Sequence, residues 1–252
     1  MYTLTASDFA DTGQWRLLLK IGTTGLEAFL ENTLHEDIPP QHLCEARWPS
    51  NRDMLRENIE EAVYSNPRLL DDFATRIIIY DPRTLFMPTE IAEESTGAEE
   101  EIYQKVYSAE ESDIMSDFDR DLTAVWSPAP GIKGFLSRTF PGAKITCNLL
   151  DKVRRLRADN KGYGLFAFGR SNEIDLILLS DRNLISASTH TWRHPDDAAY
   201  LILNLLDVYS VSPEDVVIET QGIKADTEAW DYIERKTKQL TTSYSENENY
   251  KW

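Results

Sequence analysis

The sequence is poor in cysteine, in positive charge and in long apolar runs, and each shortage removes a class of protein. Only Cys44 and Cys147 occur among 252 residues. That is too few for the disulfide framework of a small secreted scaffold, so two reduced thiols are expected. Lys and Arg number 26 against 43 Asp and Glu, a net charge of -17. Such a surface repels phosphate backbones and anionic lipid, and a nucleic-acid partner is not expected. No window approaches the about 18 apolar residues of a membrane span. The segment "MYTLTASDFADTGQWR" has no basic n-region and no apolar h-region, so cytoplasmic placement without membrane insertion is expected. A Gly-x-Ser-x-Gly elbow, a Walker loop, His-Glu-x-x-His and Cys-x-x-Cys are also missing. No local pattern nominates a catalytic nucleophile with its base.

What is present is enough to fold. Apolar residues make up 41% and aromatics 10%, above the range of disordered chains, and the length accommodates two subdomains with their own cores. Alternation and β-branched content predict strands at 15–21 ("WRLLLKI"), 25–30 ("GLEAFL") and 43–48 ("LCEARW"), then a helix in "SNRDMLRENIEEAVYS" and a short strand "RIIIY". The same order returns with strands at 163–168 ("YGLFAF"), 173–179 ("EIDLILL") and 183–190 ("NLISASTH"), a helix in "PDDAAYLILNLLDVYS" and a strand "DVVIE". Between the two series lie an acidic stretch, a strand "DLTAVW", a helix "GIKGFLSRTF", a strand "AKITC" and a helical pattern through Leu149, Leu150, Val153 and Leu156. After them, "DTEAWDYIERKTKQL" reads as an amphipathic helix and "TTSYSENENYKW" as a polar tail.

Both series share landmarks as well as order. Each third strand ends at a tryptophan, Trp48 or Trp192, followed by a proline-containing link into the helix, and each helix ends in Val-Tyr-Ser. The Trp-to-Tyr separations are 16 and 17 residues. Agreement in order and spacing predicts a duplicated β-β-β-α-β unit, with the boundary at the Ala-Asp-Asn-Lys-Gly turn near 158–162. The expected domains are 1–157, carrying the acidic insertion, and 158–252, carrying the polar tail.

Two copies of three antiparallel strands, a helix and a further strand resemble the actin-like ATPase architecture, a pair of ribonuclease-H-like subdomains with mixed α/β sheets. The stretches "FPGAKITCNLL" and "HPDDAAYLILNLLDVYSVSPEDVVIE" are similar to a bacterial family of unknown function with an actin-like fold. The resemblance covers about Trp15 to Gly222. It implies that each subdomain's first hairpin lies beside a cleft. In the fold's ATPases those hairpins wrap phosphate with backbone N–H groups, and an Asp at the end of each first strand organises the metal. Glycines permit the close backbone approach and acids hold the divalent cation.

Against that pattern the first hairpin reads Lys20-Ile21-Gly22-Thr23-Thr24 and the second Ala167-Phe168-Gly169-Arg170-Ser171. Both acids are replaced. The turn after the last strand of the second unit, usually a glycine pair, offers only Gly222. A lysine can contact phosphate as a point charge but cannot organise Mg²⁺, which it repels. The resemblance therefore implies a non-hydrolysing binding or scaffold module, with no cofactor expected; the competing reading is an ATPase or small-molecule kinase with unusual metal ligands. Lys20, Gly22, Thr23, Thr24, Gly169, Arg170, Ser171 and Gly222 are the residues of a degenerate cleft site. Turn chemistry alone also accounts for both corners, with Gly or Asn supplying positive φ where the turn needs it.

A ribonuclease-H-like nuclease needs carboxylates converging on two metals, beginning on the first strand. Neither first strand has one, and Glu27, Asp81, Glu173 and Asp175 are expected to be solvated. His35, His42 and Cys44 match no zinc module, and His190 and His194 straddle a strand-to-helix link, so no metal site is expected. From Glu90 to Asp119 eleven acids face only Lys105. That run reads as a solvated helix face, with Glu99, Glu100 and Glu101 at a helix start, or as a docking surface for a basic partner protein. Lys152, Arg154, Arg155 and Arg157 read as the polar side of an amphipathic helix.

Overall fold

The computed structural model describes residues 12–35, 37–80, 83–107, 113–170 and 172–244. The chain divides into two compact units, Met1–Leu150 and Asp151–Trp252. The division falls inside a helix, Asn148–Asp159, that precedes the 158–162 turn.

The first unit begins with β1 (Trp15–Gly22), β2 (Gly25–Asn32), β3 (Gln41–Arg47), α1 (Leu55–Tyr64) and β4 (Ala74–Ile79). β1 and β2 are antiparallel in unbroken register from Trp15↔Asn32 to Gly22↔Gly25, which leaves a two-residue corner, Thr23-Thr24. α1 carries Leu55, Ile59, Ala62 and Val63 on its buried face, and this stripe is why the segment helps close the core. It returns the chain so that β4 runs parallel to β1. The unit continues with β5 (Leu85–Pro88), α2 (Thr89–Ala92), α3 (Ala98–Tyr107), β6 (Met115–Asp119), β7 (Leu122–Trp126), α4 (Ile132–Thr139), β8 (Lys144–Cys147) and the start of α5 (Asn148–Asp159). Its main sheet has the order β3-β2-β1-β4-β8, and β5-β7-β6 forms a small second sheet. Trp15, Leu17, Leu19 and Ile21 of β1 point into one core with Ile59, Val63, Ile77 and Trp126.

The second unit contains β9 (Tyr163–Arg170), β10 (Glu173–Ser180), β11 (Asn183–Thr191), α6 (Pro195–Val208), β12 (Val216–Gln221), α7 (Glu228–Lys236) and β13 (Gln239–Ser243). Its sheet order, β11-β10-β9-β12-β13, is that of the first unit's main sheet, position for position. α6 starts sharply. Pro195 occupies the first turn, and Asp197 accepts from the His194 backbone N–H at 3.0 Å while His194 Nδ1 accepts from Asp196 N–H at 3.3 Å.

Several sequence expectations need correction. "DTEAWDYIERKTKQL" is not one helix: α7 stops at Lys236, Lys238 N–H donates to Val216 O, and Gln239–Ser243 joins β12 as a parallel edge strand. The β-branched Thr241 and Thr242 favour that outcome over a frayed tail. The acidic stretch contains a strand as well as its helix: Asp117 and Asp119 lie on β6, and β5 immediately precedes the run. α3 does begin at the Glu99–Glu101 run, while Glu110 and Glu111 lie outside the described residues. The basic residues of α5 are only partly a solvated face: Arg155 is exposed, but Arg157 is buried with Nε donating to Arg182 O at 2.6 Å, and Lys152 is tied to a buried carboxylate.

Candidate functional site

The β1–β2 corner is built on the tryptophan that ends the third strand. Trp48 Nε1 donates to Thr23 O at 3.1 Å and the Trp48 backbone N–H to Thr24 O at 3.0 Å. In the second unit Trp192 makes the same two kinds of bond, Nε1 to Arg170 O at 2.8 Å and backbone N–H to Asn172 O at 3.0 Å. The repeated tryptophans are therefore braces that fix the two corners.

Gly22 and Thr23 border a cavity of about 100 Å³ inside the first unit. Ile21, Leu55, Ile79, Pro128, Ala129 and Ile132 make most of its lining apolar, and Ser50, Arg52 and Tyr80 add polar groups. It lies beyond the carboxyl ends of the parallel strands β1 and β4, where open α/β sheets place ligands. Its walls are positioned by local hydrogen bonds. Arg52 Nη2 donates to Ser127 O at 3.3 Å, which ties the entry of α1 to the segment before α4. Gly131, at φ +83° and with Arg56 Cδ 2.8 Å from where a Cβ would be, turns that segment into α4, and its N–H donates to Asp113 Oδ2 at 2.5 Å.

Lys20 does not line this cavity. Strand alternation puts it on the opposite face from Leu19 and Ile21, with Nζ 4.8 Å from the Phe29 ring centroid and cross-strand from Glu27. Glu27 is only 3% exposed and reaches Arg47 at 3.2 Å, and its Oε2 accepts no hydrogen bond among the described residues. Burial raises its pKa, against the lowering pull of Lys20 and Arg47. Thr24 gives its carbonyl to Trp48 and is likewise not among the lining residues.

The second-unit residues are arranged differently. Arg170 is 8% exposed and spans Asp175, through both terminal nitrogens, and Glu173 at 3.0 Å. Asp175 is fully buried and also accepts from Lys152 Nζ at 2.7 Å and Thr189 Oγ1 at 2.6 Å. Burial alone would raise its pKa; the Lys152 and Arg170 charges outweigh that and hold the carboxyl below its ordinary value. Glu27 and Asp175 are thus not solvated, because each sits on the second strand of its hairpin with cations brought over it. Asp81 and Ser171 lie outside the described residues.

Gly169 and Gly222 touch each other. A Cβ on Gly222, which has φ +71°, would stand 2.5 Å from Gly169 O; one on Gly169 would stand 2.8 Å from Ile223 Cγ1 and 2.9 Å from Trp192 Cζ2. Gly169 has no positive φ, so packing rather than turn geometry selects it. After β4 the chain continues into Tyr80, whose N–H donates to Ile21 O at 2.8 Å.

No three His, Cys, Asp or Glu side chains among the described residues are placed to hold a metal ion. His42 packs edge-on against Phe29 with centroids 5.5 Å apart, His190 lies on β11 beside Ser188 Oγ, and His194 is the N-cap of α6. No helix among the described residues is long and apolar enough to cross a membrane.

A family model described as a protein of unknown function, DUF3822, matches residues 5–237. The chain belongs to this family. No curated protein matches the DUF3822 chain in sequence. Among solved structures it is similar to a Bacteroides thetaiotaomicron protein with an actin-like ATPase fold and unknown function, at TM-score 0.74 and 17% identity over 94% of this chain and 93% of that one. It is also similar to the PilM-PilN type IV pilus biogenesis complex, at TM-score 0.53 and 11% identity over 90% and 88%. The DUF3822 chain therefore has the actin-like ATPase fold, the two ribonuclease-H-like sheets anticipated from its sequence.

Proposed function

We propose that this protein is a non-hydrolysing actin-like module that works by holding a protein partner. One observation carries the reading: no acid stands near the end of either first strand, where β1 reads Leu19-Lys20-Ile21-Gly22 and β9 reads Ala167-Phe168-Gly169-Arg170, and Lys20 faces Glu27 and Phe29 rather than the corner. A Mg²⁺–triphosphate complex needs acids there, and a lysine supplies the wrong sign. The second-unit corner supports the same reading, since Arg170 is engaged by Asp175 and Glu173. No nucleotide cofactor is part of this function.

A partner role has support from analogy, because the PilM-PilN structure is an assembly complex on a similar fold. The exposed Glu100 and Glu101 at the start of α3 offer a basic partner a docking face. The matched sheet orders, tryptophan braces and Val-Tyr-Ser endings support one ancestral unit duplicated about the 158–162 turn. Neither cysteine is in a disulfide, in keeping with a cytoplasmic setting.

Titration calorimetry with ATP, with and without Mg²⁺, tests the reading. The expected result is no Mg²⁺-dependent heat. Micromolar binding that requires the metal would sink it.

A further inference from the structure

We propose that the first-unit cavity beside the β1–β2 corner binds a short branched aliphatic group that carries one carboxylate, the chemistry of a polypeptide C-terminus ending in Val, Leu or Ile or of a free short-chain acid. The proposal rests on the non-hydrolysing reading and names what the corner binds in place of phosphate. Size is the first argument. At about 100 Å³ the cavity is below the roughly 150 Å³ that encloses benzene and far below the roughly 300 Å³ or more of pockets that engulf whole small molecules. That volume suits the end of an aliphatic chain better than a whole nucleoside.

Lining is the second argument. Ile21, Leu55, Ile79, Pro128, Ala129 and Ile132 offer nothing to a phosphate oxygen, and burying an anion among them without partners is costly. They suit an apolar end group. The lining includes one cationic side chain, Arg52, whose planar fork matches a carboxylate, and also Ser50 and the Gly22-Thr23 corner. Arg52 is already oriented by its bond to Ser127 O. Charge is the third argument: a surface of net charge -17 opposes a triphosphate several times more strongly than a monoanion.

The experiment is titration of the full chain with N-acetyl-leucine, its C-terminal amide, isovalerate, a leucine-terminated hexapeptide, inorganic phosphate and ATP, followed by isoleucine-methyl NMR. The carboxylates should shift the methyls of Ile21, Ile79 and Ile132. Amidation, or Arg52→Gln, should weaken binding about tenfold or more through loss of a charge-assisted pair. Ile132→Phe, which fills the space, should abolish it, with circular dichroism reporting the fold of each variant. A hexapeptide much tighter than isovalerate identifies a chain terminus as the source; equal affinity identifies the free acid. No methyl shift with any carboxylate, equal binding of acid and amide, or unchanged binding in Arg52→Gln would overturn the proposal. Mg²⁺-dependent ATP binding that leaves the N-acetyl-leucine shifts intact would overturn the non-hydrolysing reading alone.

Discussion

Glu27 and Asp175 occupy comparable places, each three residues into the second strand of its hairpin, and titrate in opposite senses. Asp175 has its carboxyl lowered by Lys152 and Arg170 despite full burial. It therefore adds stability that is complete above the unfolded aspartate value, about 3.9, and is lost as pH falls through the lower folded value. Asp175→Asn should cost about 3–5 kcal/mol, because it leaves Lys152 buried without its carboxylate and Arg170 with Glu173 alone; urea denaturation at neutral pH measures this. Glu27 has its carboxyl raised by burial. Its contribution is complete below the unfolded value and is lost as pH rises through the folded one. Glu27→Gln should accordingly be near-neutral or stabilising at pH 7 and less favourable at pH 4, read from denaturation midpoints at both. Neither burial was legible in the sequence. A carboxylate on an alternating strand looks solvated, and only the cations brought from β3, β9 and α5 show otherwise.

At the scale of elements, the two hairpins and their tryptophans were the most readable part. Trp48 and Trp192 stand out by their matching places at the third strand ends, and their bonds to the corners explain those places. Trp48→Phe and Trp192→Phe should each cost about 1 kcal/mol from the lost indole hydrogen bond, visible as faster amide exchange at residues 22–25 or 170–173. Gly222→Ala should be worse than the usual glycine penalty, by roughly 1–3 kcal/mol, since it combines positive φ with a Cβ driven onto Gly169 O. A thermal melt decides this. β13 was hidden because "QLTTS" has no apolar alternation, and it becomes a strand only through the edge that β12 offers. The cavity was hidden for a related reason: its wall comes from β1, the entry of α1, β4 and the segment before α4, and no local pattern spans four segments.

At the scale of the whole molecule, the repeated order of elements carried the fold, and the missing acids carry the proposal of a non-hydrolysing module. The net charge of -17 makes a further difference to partner choice. If a basic protein docks on the acidic start of α3, its affinity should fall steeply between 0.05 and 0.5 M salt, roughly a change from 13 to 4 Å in screening length. Glu100→Gln with Glu101→Gln should flatten that dependence; a partner that ignores both changes would place the docking surface elsewhere. The central claim concerns chemistry, and it is tested most directly by phosphate release from ATP in Mg²⁺ with protein in excess of nucleotide. The expected result is a rate equal to that of ATP in buffer alone. A release rate that requires Mg²⁺, rises with protein concentration and saturates would show that this actin-like chain hydrolyses ATP after all.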